Sequence, residues 1–237
     1  MGVSDAVRNP GSYVGEKQRV YRSILFDPDT FYSEYAGKRG IVRELLLIAV
    51  IGVVGLIGTL YAVQTLRGEY SGDILTDDVG MQLWGNALAP LIGAFLLWVG
   101  FTVVLYAVSW LYSTAGSFYM LWKNTAWALL PALFANLLLT AAYAVTTYTA
   151  EFDGSDELNS SHPDTMVAFM WEQIAHEPMV VGAYALGVVF AVWSGYIAAH
   201  GVAEVRKLEV DEAYRVVAVP VVAYALYVGY QVIGTIL

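Results

Sequence analysis

LLLIAVIGVVGLIGTLYAVQTL, residues 45–66, runs for a full membrane's width without an Asp, Glu, Lys or Arg. At 1.5 Å of rise per residue such a stretch covers about 33 Å, enough to cross a hydrocarbon core. Four further stretches read the same way, at about 83–112, 124–148, 179–200 and 216–237. In lipid every backbone polar group must find its partner within the protein, and a helix does this by itself. The pattern therefore predicts an all-α, polytopic membrane bundle of five transmembrane helices, a multi-pass protein of the cell membrane.

The basic residues orient the bundle. Arg8, Lys17, Arg19, Arg22, Lys38, Arg39 and Arg43 precede the first span, and Lys123, Arg206, Lys207 and Arg215 mark the second and fourth connections, leaving Arg67 alone on the other side. Lys and Arg are retained in the cytoplasm, which predicts the amino terminus inside and, after five crossings, the carboxyl terminus outside. An uncharged run from Val79 to Trp122 could hold two crossings, but these would reverse every later connection, so one long helix is expected. Trp84 and Trp110, about 39 Å apart on a helix, suit its two interfacial anchors.

The chain divides into a tail at 1–23, a pre-span segment at 24–44 and the membrane domain at 45–237. Asp27 can cap a short helix with Pro28 at its first position, and Gly37 can end it. Phe31 and Tyr35, four residues apart, share a face of this amphipathic helix and are the candidate contacts to a membrane surface or partner. Pro90, Pro131 and Pro220 fall inside spans and are expected to kink them. In the fourth span Ala183, Gly187, Ala191, Gly195 and Ala199 recur every four residues, a row that lets helices approach closely in lipid. Ala128, Ala132, Asn136, Thr140 and Ala144 form a matching row in the third.

Composition limits the chemistry. The net charge is −9 with a hydrophobic share of 58%, and the isoelectric point near 4.7 suggests a salt-loving archaeal source. An acidic surface excludes a nucleic-acid partner, which needs clustered cations. There is no cysteine, and the first 40 residues hold no apolar core of signal-peptide length, so neither thiolate metal sites nor a cleaved secretory signal is expected. Gly11 to Lys17 lacks the spacing of a phosphate-binding loop. His162, Asp164, Glu172 and His176 read as part of a solvated acidic loop without a metal motif. No catalytic residue, metal or cofactor is assigned, and no enzyme is expected. Asn159-Ser160-Ser161 fits an N-glycosylation acceptor on the side predicted to face outward. Asn136, mid-bilayer, must find partners within the protein; it reads as interhelical glue or, with Ser194 and Gln231, as a polar intramembrane site.

Asp27-Pro28-Asp29-Thr30-Phe31-Tyr32, then Gly116-Ser117-Phe118 leading to Trp127 and Pro131, then Trp193-Ser194-Gly195-Tyr196 together resemble the Yip-one domain family, in its prokaryotic and particularly haloarchaeal branch. The resemblance runs from about Leu25 to the carboxyl terminus. Eukaryotic members are trafficking proteins that associate with Rab-type GTPases and with one another. This chain lacks their Asp-Leu-Tyr-Gly-Pro motif before the first span, which weighs against a GTPase partner. What the resemblance implies is a noncatalytic integral membrane protein, organising membrane or acting as an adaptor through lipids, a membrane-protein partner or a second copy of itself. The alternative is a small-solute or lipid transporter with a polar cleft around Asn136.

Overall fold

The computed structural model describes residues 18–20, 22–36, 40–69, 77–149 and 163–236. Every regular element among them is helical. Residues 22–26 form a helical turn ahead of α1 (Pro28–Glu34). The chain continues through α2 (Val42–Glu69), α3 (Asp77–Ser109), α4 (Phe118–Ala128), α5 (Leu130–Thr149), α6 (Pro163–Ala175), α7 (Pro178–Arg206) and α8 (Val210–Ile236). Five segments are long and apolar enough to cross a membrane: α2, α3, α4 with α5, α7 and α8. The end of the bundle carrying α1 is called proximal here, and the end carrying α6 distal.

The helices run past the apolar stretches because charged residues are tolerated at their ends. α3 starts at Asp77, where Asp77 and Asp78 complement the positive end of the helix dipole. The third span starts at Phe118, capped by the Ser117 hydroxyl accepting from the Met120 amide, so Lys123 lies within it. Prolines act unequally. At Pro131 the span breaks, and the Leu129 and Ala132 amides turn to 3₁₀-type bonds with the Ala126 and Leu129 carbonyls. Pro90 and Pro220 sit inside unbroken helices. Near Pro90 the Thr59 hydroxyl donates to the Ala87 carbonyl at 2.8 Å.

The small-residue row on α7 turns towards α8. A Cβ at Gly195 would stand 2.8 Å from Val221, so only glycine admits this approach. Ala183 and Ala199 are buried and Ala191 half-buried. The α5 row faces α2, where Gly55 and Gly58 receive it: a Cβ would come within 3.2 Å of the Asn136 amide at the first and 2.7 Å of the Thr140 hydroxyl at the second. Between lipid-bathed helices, association rests on such packing because the tails are as apolar as Leu.

The distal end differs from its sequence reading. Residues 163–175 form an amphipathic helix, α6, that buries Met166, Val167, Met170 and Ile174 against Leu66, Val79 and Leu83. A solvated loop was expected because the acidic residues dominate the local composition. Four apolar residues at intervals of one, three and four instead align on one face.

Candidate functional site at the proximal end

Ile24, Phe31 and Tyr32 carry residues 22–36 into the proximal core, beside Leu121, Ala128 and Val202. Two directional bonds fix the segment. The Tyr32 hydroxyl donates to the Asn124 carbonyl at 3.0 Å, and the Trp193 indole donates to the Leu25 carbonyl at 3.1 Å. The Tyr32 ring lies on Gly201, where a Cβ would approach it to 2.9 Å. Burial pushes the Tyr32 phenol far above its ordinary range, so it remains a donor. Asp27 caps α1 by accepting from the Thr30 amide.

From Phe31 the contacts run inward. Its ring meets Trp127 edge-on at 5.6 Å, and the Trp127 indole donates to Glu44 Oε1 at 3.1 Å. Glu44 is 5% exposed, and its other oxygen has no hydrogen-bond partner among the described residues. On the far side of α1, Asp29 lies 4.0 Å from His200, whose other nitrogen is 3.5 Å from the Tyr214 hydroxyl. That carboxylate is largely exposed and adds little holding energy.

Beside this platform the turn between α3 and α4 is held by Arg206, a wholly buried residue. Its guanidinium donates to the carbonyls of Ser113 and Ala115 and lies 4.8 Å over the Tyr106 ring. The Ser113 hydroxyl answers by donating to the Arg206 carbonyl at 2.7 Å. Gly116, at φ +74°, completes the turn, and a Cβ there would fall 2.1 Å from the Val205 carbonyl oxygen. A buried cation is tolerated because carbonyl oxygens replace its water.

The residues singled out from sequence fall in separate places. Phe31 points inward and is 3% exposed, whereas Tyr35 remains on the surface; Phe26 also stands outward, 67% exposed. The Asn136 amide donates to the Ile51 carbonyl at 2.9 Å, and one turn on Thr140 donates to the Val54 carbonyl at 3.0 Å. Chemically this arrangement joins α5 to α2. Ser194 is buried on α7, and among the described residues no hydrogen bond joins it to Asn136. Gln231 lies in α8 with its side chain outside the described residues, as do Asn159 and His162 altogether. His176 bonds the main-chain carbonyl of Glu172 rather than its carboxylate.

The buried roles of Glu44 and of Arg206, which counted in the sequence only as an orienting cation, were hidden because each stands next to a span boundary, where a charge ordinarily meets water. Their only mark was position: Glu44 is the acid nearest the first span, and Arg206 follows the small-residue row by two turns.

Comparison with protein families matches residues 22–232 to the Yip1 domain. No curated protein and no solved structure matches the chain.

Proposed function

The chain belongs to the Yip1 domain family, and on that premise we propose that this multi-pass membrane protein works without catalysis, as a membrane-organising or adaptor protein. The proximal end faces the cytoplasm, with residues 1–23 as a tail, 24–44 as the contact segment and 45–237 as the scaffold. Seven cations before the first span support that orientation. The observation that carries the reading is the docking of residues 22–36. Buried anchors and two hydrogen bonds to main-chain carbonyls hold the segment against the bundle, while Phe26 and Tyr35 stay outward for a lipid surface or a lateral partner.

The test uses the absence of cysteine. Single cysteines at Tyr35 and at His176, labelled in sealed cells by an impermeant maleimide, should react only at His176. A photo-crosslinking residue at Phe26 or Tyr35, in native membranes, should give one recurrent adduct that Tyr35→Ser or Phe26→Ser removes in turn. Labelling of Tyr35→Cys from outside would overturn the orientation, and adducts that neither change removes would overturn the adaptor reading.

A further inference from the structure

On the outer face of α5 and α7, Phe134, Leu137, Leu138, Phe190 and Trp193 line an open groove of about 330 Å³. All five are apolar, and the one polar atom of Trp193 is already committed to the Leu25 carbonyl. Phe134 and Phe190 each lie in stacked orientation against Trp193, at 6.2 and 6.4 Å. Phe26 lies tilted against Trp193 at 6.0 Å, bringing residues 22–26 beside the groove. One helical turn back from Phe26 is Arg22, exposed, with Arg19 also exposed and helical. The neighbouring acid, Asp27, is turned to the Thr30 amide as the cap of α1.

We propose that this groove is a lipid site: it seats one hydrocarbon chain of an anionic membrane lipid, whose phosphate meets Arg22 and Arg19 beside the groove. Both helices are membrane spans, so hydrocarbon is what the groove meets. Lipid tails are as apolar as the lining, so the chain gains only packing on the flat aromatic faces and selectivity rests on the cations. From Arg22, through Phe26 one turn on, to Trp193 in the groove, the order of groups matches a glycerolipid: cation, then aromatic, then apolar groove. The site goes beyond the adaptor reading and needs only membrane embedding, so it is tested on the purified chain with no partner present.

The full-length protein, in mild detergent, is offered equal phosphatidylglycerol and phosphatidylcholine of the same chain length and weighed intact by native mass spectrometry. We expect one retained lipid per chain, with phosphatidylglycerol preferred on the order of tenfold, as two arginines near an anionic group imply. Changing both Arg19→Gln and Arg22→Gln should bring the two lipids to near equality. Leu137→Trp, which fills the groove from an exposed position, should abolish retention of either. Circular dichroism identifies any variant that misfolds, and the arginine pair, lying on the surface, carries the test if Leu137→Trp does so. Equal retention by the parent, or an unchanged preference without the arginines, overturns the proposal. So does a dimer that Leu137→Trp dissociates, since a second copy would then occupy the groove.

Discussion

Both ends of the bundle are closed by a short amphipathic segment, but they are fastened by different physics. At the proximal end residues 22–36 are held by bonds with direction, Tyr32 to a main-chain carbonyl and Trp193 back to the Leu25 carbonyl, beside the Arg206 clamp. At the distal end α6 lies on Met166, Val167, Met170 and Ile174, with the Gln82 amide donating to Asp164 on the rim at 2.6 Å. Hydrogen bonds specify a position, because an unmade one leaves a buried group unsatisfied. Apolar contact specifies only that the face be covered, and methionine in particular repacks readily. The proximal end is thus built to present a fixed surface and the distal end to stay closed while adjusting.

Substitutions can break or sharpen this contrast. Arg206→Ala should have the largest effect, about 3–5 kcal/mol, since it leaves a cavity where a wholly buried side chain stood and removes the guanidinium bonds that tie the α3–α4 turn to α7. The readout is the unfolding midpoint of the whole bundle in a denaturing-detergent titration followed by circular dichroism. Met170→Ala should cost about 2–4 kcal/mol, but locally: protease cleavage within 163–175 should accelerate with the global midpoint nearly unchanged. A global shift equal to that of Arg206→Ala would erase the distinction between the two ends.

Tyr32→Phe should cost about 1 kcal/mol, seen as faster amide exchange over residues 22–36. The same bond carries a pH signature. Burial raises the Tyr32 phenol's pKa, so the contribution is complete below the unfolded value near 10 and is lost as pH climbs above it. Alkaline loosening of 22–36 should therefore appear in the parent and be absent in Tyr32→Phe. Gln82→Leu should be the mildest, within about 0.5 kcal/mol, because its bond to Asp164 is exposed.

What could be read in the sequence divides along the same line. The five spans were legible because an uncharged run of membrane length has few other uses in a folded chain. The α7 row was legible because small residues at intervals of four stay on one face. Gly55 and Gly58, which receive α5, and Gly52, which lies against Leu91 of α3, passed unnoticed since they recur every three residues within a run already explained as a span. α6 was hidden by its acidic neighbours. Phe31 and Tyr35 share a helical face by spacing, yet α1 is so short that one tucks under Trp127 while the other, at the cap, stays outside. The Arg206 clamp could not be read beyond the position of Arg206 itself, because its acceptors are main-chain carbonyls 90 residues and more away.

That separation sets an order of assembly. The ribosome delivers Ser113, Ala115 and Gly116 long before it delivers Arg206, so the α3–α4 turn emerges with its carbonyls bonded to water in place of the guanidinium. The first three spans can insert, but their turn acquires its final partners only when the fourth has been threaded and its last residues emerge. A chain stopped short of Arg206 is thus left with that corner unpinned.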